Sequence, residues 1–232
     1  MNRRELLTVT GAALAGSALG GCDITPAPAA SSKYPPPRGK PVKPPANGPV
    51  QIAFLVGPDT TLIDVAGPWE AFNDAMVAIK TYLVAPSMDD IDLGGMRVRP
   101  DYTIANAPQP HVLVVPATKH LPESIAWVKA TSAGTDITMS VCAGAFIVAK
   151  AGLFDGELVT THHGMYARFE KEFPNAKLVR GPRFVENATV SSSGGETSGI
   201  DLALRVVERY FGKDAAASSA DTMEFVPTPR PS

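Results

Sequence analysis

Cysteine is nearly absent from this chain. Two occur in 232 residues, Cys22 and Cys142, too few to staple a disulfide framework. Charge is close to balanced, with 21 Lys and Arg against 23 Asp and Glu and a net charge of −2, which excludes a broadly basic nucleic-acid binder. The apolar N-terminal run from Leu6 to Leu19 is short for a membrane span. No lysine follows the glycines of Ser191-Ser192-Ser193-Gly194-Gly195, so this stretch is a loop placing the final helix rather than a phosphate cradle. Hydrophobic residues still make up 44% of the chain. That excludes general disorder and leaves enough for one α/β domain with a sizeable core.

The first residues read as an address. Arg3-Arg4 precede the Leu6 to Leu19 run, giving the charged and apolar regions of a secretory signal over residues 1–21. The arginine pair resembles a twin-arginine signal, with Leu6 where phenylalanine is usual. Leu19-Gly20-Gly21-Cys22 resembles a bacterial lipobox, which implies a lipid anchor on Cys22 and an exported, membrane-anchored protein. An ordinary signal cut nearby would instead leave Cys22 a free thiol. Residues 22–49 follow as a linker: Asp23 to Pro49 holds nine of the 22 prolines. It is expected to be extended, largely polyproline II, and to reach up to ~80 Å at ~3.1 Å per residue.

The folded domain is placed at 50–213, with a C-terminal extension over 214–232. Val50 to Val56 and His111 to Val115 are near-continuous apolar runs stopped by Gly57-Pro58 and Pro116, as expected of buried parallel strands. Thr81 to Ala85, the run into Cys142, Leu158 to Thr161, Lys177 to Val179 and Thr189 to Ser191 add further strands, and Met96 to Ile104 reads as a hairpin or edge excursion. Gly67-Pro68 is expected to open a helix after a loop holding Asp64, with Trp69, Phe72 and Met76 on its core face. Helices are expected from Pro122, after Cys142 as far as Leu153, and over Ala167 to Phe173. Ser198 to Asp201 has the capping-box pattern of a last helix, with Ile200, Ala203, Leu204, Val207 and Phe211 buried and Arg205, Glu208 and Arg209 outside. Strands alternating with helices give an α/β fold: a doubly wound, mostly parallel sheet, flavodoxin-like, with helices on both faces.

Ligands of such sheets sit beyond the carboxyl ends of the strands. Asp64, the turn Pro116-Ala117-Thr118, Cys142 and His162 all follow expected strands. The stretch from Ile137 to Phe146 is a strand, a thiol and then small residues, resembling the nucleophile elbow G-x-S-x-G with Ser140 at the first glycine position and Gly144 at the second. A thiol at a helix N-terminus faces unpaired N–H groups and the positive dipole end, which favour thiolate. The plainer alternative is a buried cysteine acting as a small hydrophobe. Asp64 could likewise only cap a helix; beside a thiolate, its carboxyl is pushed toward the protonated form and could pass a proton on.

Five stretches together resemble the ThiJ/PfpI superfamily, related to class I glutamine amidotransferases. They are Asp64 to Glu70, Val112 to Pro116, Val141 to Gly144, Thr160 to His162 and Ser198 to Leu204. The resemblance runs from about Val50 to Gly212 and is strongest to isocyanide (isonitrile) hydratases and to the sensor domains of AraC-type regulators. It implies Cys142 as nucleophile, Asp64 as the acid beside it, and His162 as base or proton shuttle. It also implies backbone donors at Ala143 and Thr118, with Ala117, Gly144 and His163 lining the pocket. Ala143 stands where the proteases have histidine and the hydratases threonine, and Ala117-Thr118 replaces a Gly-Gly pair.

The activity so implied is a cofactor-free, cysteine-dependent hydratase or hydrolase acting on a small electrophile. Alternatives are a non-catalytic small-molecule or redox sensor on the same fold, or glyoxalase-type action on 2-oxoaldehydes. No metal is expected, since His162-His163 do not converge easily and no third ligand is evident. His120 is placed near the same mouth and His111 is read as structural. The partners expected are a small-molecule substrate and the membrane through the anchor on Cys22, with no nucleic acid, and with a homodimer of the kind common among relatives; the Pro-rich linker is read as a tether rather than a docking site.

Overall fold

The structure, a computed structural model, describes residues 34–228. The signal-like stretch and Cys22 lie outside the described residues. Six strands come first: β1 (Val50–Leu55), β2 (Ile79–Ala85), β3 (Ile91–Leu93), β4 (Met96–Val98), β5 (Tyr102–Thr103) and β6 (Val112–Val115). Five follow: β7 (Ile137–Ser140), β8 (Leu158–Val159), β9 (Lys177–Leu178), β10 (Phe184–Glu186) and β11 (Val190–Ser193). Seven of them form one sheet in the order β10-β11-β7-β6-β1-β2-β5. Every pairing in it is parallel except β10 with β11. The doubly wound α/β sheet expected from the strand–helix alternation is therefore present. β3 and β4 form a hairpin that begins before the expected Met96 to Ile104 excursion, only β4 and β5 lying inside it, and β5 joins the sheet edge.

The helices are α1 (Leu62–Asn73), α2 (Pro122–Ser132), α3 (Ala145–Lys150), α4 (Tyr166–Glu172), α5 (Ser198–Phe211) and α6 (Lys213–Thr222). Residues of α1, α5 and α6 bury one face of the sheet, and residues of α2, α3 and α4 bury the other. The central strands are apolar on both sides because both sides are covered: all four residues of β6 are fully buried. Burial of such side chains stabilises by about 1.5–3 kcal/mol each.

Several local expectations fail for physical reasons. α1 starts at Leu62, so Pro68 lies inside it and Asp64 in its first turn; packing of this helix on the sheet outweighs the preference of proline for the first turn. Met76 falls past the helix end and is 83% exposed, so the core stripe stops at Phe72. The capping box does not form, because Asp201 is buried and engaged by Arg183 at 2.6 Å and by the Thr228 N–H at 2.8 Å.

Arg205 and Arg209, expected outside, are turned inward. Arg209 is 5% exposed, and both guanidiniums pair with the buried Glu186 carboxylate, at 3.1 and 3.4 Å. The reason lies in the proline-rich stretch, part of which is docked rather than free. The Arg38 N–H donates to the Glu186 carbonyl at 3.3 Å and the Val42 N–H to the Arg209 carbonyl at 2.7 Å. In return Arg205 donates to the Gly39 carbonyl at 3.0 Å and Arg209 to the Lys40 carbonyl at 2.8 Å. A side chain on Gly39 would strike the Glu186 carboxylate. This strap supplies carbonyl acceptors to two buried guanidiniums, as buried charges require.

Candidate active site

β7 delivers the chain to Cys142, which begins a single 3-10 turn, Cys142–Gly144, leading into α3. Cys142 has φ of 57°, a left-handed conformation that costs a non-glycine residue of order 1–3 kcal/mol and persists only where its surroundings hold it. They do so from both sides. Its N–H donates to the Gly194 carbonyl at 2.9 Å, and the Thr161 hydroxyl donates to its carbonyl at 2.8 Å. Gly144 is needed where it stands, since a Cβ there would overlap the Val115 carbonyl oxygen. Strand, strained residue and helix thus form an elbow, with Ser140 tolerated at its start.

The first turn of α1 places Asp64 beside this thiol, 0% exposed. One carboxyl oxygen accepts the Ala117 N–H at 3.1 Å; the other is buried without a regular hydrogen-bond partner. Burial pushes the Asp64 carboxyl up to about 6, the Glu196 charge adds to this, and the Ala117 N–H and the Cys142 thiol oppose it. Burial pushes the Cys142 thiol up to about 11, and the Asp64 charge adds to it. The backbone N–H groups of Glu196 and Ala143 pull the other way.

The expected preference for thiolate is therefore reversed in the resting site, because desolvation and a neighbouring carboxylate outweigh two amide donors. The resting proton sits on sulfur, and above pH ~6 Asp64 is the adjacent base able to take it. That arrangement activates the nucleophile only as it reacts.

Other expected residues fall into two groups. Ala143 and Gly144 belong to the turn, and the Ala143 N–H does face the sulfur. Ala117 lies against Asp64, its N–H already engaged. Thr118 is buried, its hydroxyl accepting from Thr60 at 2.8 Å and donating to the Pro58 carbonyl at 3.0 Å. The amide that joins Ala143 at the sulfur is that of Glu196 instead. His162 flanks the elbow: its ring lies against Gly195, its Nδ1 accepts the Gly164 N–H at 3.1 Å, and among the described residues no hydrogen bond joins it to Cys142 or Asp64. His163 is exposed and packs on His162, ring centroids 4.4 Å apart. His120 is turned away, 3.1 Å from Lys150 at the far end of α3. His111 is structural, its Nδ1 accepting the Gln51 N–H at 2.9 Å.

Thr161 and the Glu196 amide were missed. A strand-end threonine beside histidine gives no local sign of its target, whereas a Gly-Gly pair before a helix does signal N–H groups free to face a ligand. A cavity of about 470 Å³ adjoins the elbow, lined by Thr161, His162, His163, Gly194 and Glu196 among others. A second, of about 740 Å³, lies beyond the ends of β1 and β2; Cys142 is in the lining of neither. Among the described residues no cluster of three His, Cys, Asp or Glu side chains could hold a metal ion.

Comparison with known proteins adds context to this geometry. The sequence pattern described as the DJ-1/PfpI family matches residues 50–209. An isonitrile hydratase of Pseudomonas putida is 24% identical over 188 residues, 78% of this chain and 80% of that protein. The HTH-type transcriptional regulator GbdR of Pseudomonas aeruginosa is 25% identical over 190 residues, 77% of this chain but 52% of the regulator, so the chain spans about half its length. A crystal structure of a ThiJ/PfpI family protein from Pseudomonas syringae superposes with a TM-score of 0.69 at 28% identity, covering 78% of this chain and 77% of that one.

Proposed function

Since the chain belongs to the DJ-1/PfpI family, we propose that it is a cysteine-dependent, cofactor-free hydratase or hydrolase acting on a small electrophile, with Cys142 as nucleophile and Asp64 as proton carrier. The observation carrying this is the pairing of a thiol in a strained, doubly held elbow with a fully buried carboxyl, one oxygen of which has no regular hydrogen bond and only the thiol to engage it. Structure maintains such strain and such an orphan at a cost, and functional sites are where both concentrate.

With an isocyanide as substrate, sulfur adds to the terminal carbon while the thiol proton passes through Asp64 to that same carbon, giving an S-linked thioimidate. Water then adds to the carbon, the nitrogen takes a proton, and the C–S bond breaks. The products are an N-substituted formamide and the restored thiol, so one water is consumed and no redox change occurs. A 2-oxoaldehyde in the same site would give a hydroxy acid. The N–H groups of Ala143 and Glu196 are placed for charge that develops during attack. Cys142→Ser should abolish formamide formation from an alkyl or aryl isocyanide, measured by mass spectrometry; turnover by that variant refutes the reading.

One observation favours a second reading. A thiol held at about 11 suits a binding pocket as well as a nucleophile, and GbdR, a regulator, is among the similar proteins. A sensor predicts saturable ligand binding with no product. We also propose that the protein is exported and tethered to a membrane through a lipid on Cys22, on the strength of Leu19-Gly20-Gly21-Cys22. A lipid-sized mass on the peptide starting at Cys22, lost in Cys22→Ala, tests this, and an unmodified cysteine there overturns it.

A further inference from the structure

The geometry points to Glu196 as the residue that selects the charge of the substrate, admitting neutral or cationic electrophiles to Cys142 and turning anions away. The inference rests on the reading of Cys142 as nucleophile and deepens it by naming a substrate class. Glu196 stands in the loop between β11 and α5 that clamps the elbow, two residues after the Gly194 carbonyl that accepts the Cys142 N–H. Its own φ of 47° is left-handed, so two strained non-glycine residues meet at this site. Its backbone N–H is directed to the sulfur, while its side chain is exposed and lines the cavity beside the elbow with Thr161, His162 and Gly194. The carboxylate therefore stands beside the elbow, and its charge reaches a thiol whose inner side is occupied by Asp64.

Among the described residues, the charges acting on Cys142 are those of Asp64 and Glu196, and the charge acting on Asp64 is that of Glu196. Arg183 lines the same cavity, but its guanidinium is engaged by Asp201 at 2.6 Å and by the Thr197 hydroxyl at 3.2 Å. An incoming carboxylate or sulfonate would meet two like charges in a partly desolvated site, where repulsion is strong. A neutral electrophile meets none, and acquires negative charge only in the transition state, where the Ala143 and Glu196 amides await it.

The test compares alkylation of Cys142 in the full chain by iodoacetamide, neutral, and iodoacetate, anionic, at pH 8 and low ionic strength. Modification is followed on the Cys142 peptide by mass spectrometry, with N-acetylcysteine amide as the reference thiol. The iodoacetamide-to-iodoacetate rate ratio should exceed that of the reference by about tenfold or more. It should fall several-fold toward the reference in Glu196→Gln, and fall likewise in the unmodified chain at high salt. A ratio taken on one thiol cancels that thiol's own basicity, so a change in it reports charge selection alone. A reference-like ratio in the unmodified chain, or one unchanged in Glu196→Gln, overturns the inference and leaves the nucleophile standing. No alkylation by either reagent overturns both.

Discussion

Replacing Asp64 by asparagine keeps an oxygen to accept the Ala117 N–H and removes the buried charge. In the folded chain the Asp64 carboxyl titrates at about 6 against an ordinary 3.8. A raised carboxyl means that the folded state holds its proton more tightly than the unfolded state does. The penalty of ionising it is therefore absent below pH 3.8, grows as pH rises, and is complete above about 6. Two pH units at about 1.4 kcal/mol each set that penalty near 3 kcal/mol. Asparagine is neutral throughout and escapes it. Asp64→Asn should accordingly be more stable than the unmodified chain at pH 8, by up to about 3 kcal/mol less whatever the buried amide costs, and the advantage should shrink between pH 6 and pH 4.

Urea unfolding followed by tryptophan fluorescence measures this. Trp69 sits in the same helix as Asp64 and packs on Phe54 at 5.1 Å between ring centroids. The same variant should show alkylation of Cys142 accelerated at pH 8: burial still raises the thiol, but the Asp64 charge that adds to it is gone. Its turnover should nevertheless fall, because the proton carrier is gone. Greater stability, a more reactive thiol and less catalysis are three results of opposite benefit from one substitution. A variant that is less stable by the same amount at every pH, or whose thiol is slower to alkylate, refutes the reasoning.

Thr161→Val deletes the hydroxyl that the Cys142 carbonyl accepts from, and should lower stability by about 1–3 kcal/mol for an unsatisfied buried acceptor. Turnover should fall with it, and Thr161→Ser should restore both; a valine variant with unchanged urea midpoint and rate contradicts the role given to this hydroxyl. Gly39→Ala forces a methyl against the Glu186 carboxylate and should cost about 1–3 kcal/mol, as overpacked sites do. An unchanged midpoint for that variant would show that the strap does not seal the ion pairs.

Much of the sheet was legible because its central strands are covered on both sides and read as unbroken apolar runs, as in Val50 to Val56 and Val112 to Val115. β10 was not, since Phe184-Val185-Glu186 is short and ends on a carboxylate that is buried only through Arg205 and Arg209. Those arginines were read as solvent-facing because helical periodicity is a local signal. Their acceptors lie some 166 and 169 residues away in the strap, beyond the reach of any window along the chain. The placement of Cys142 and Asp64 followed from strand ends, a property of pattern. The direction of the thiol's titration did not, because it depends on how completely three dimensions exclude water, and the dipole argument counted only the donors. Thr161 was visible as a residue but not as a hydrogen bond.

The strap also decides how the domain bears load. Tension applied through the N-terminal stretch meets Arg38 to Val42 before it reaches β1, and the peptide groups there are tied to β10 and α5 rather than to β1. Several such bonds lie along one extended segment and resist a pull together. A drag on the chain is thus borne by one edge strand and one helix, and β1, which leads directly into the turn that carries Asp64, is shielded from it. The segment that looks like a leash works as a strain relief.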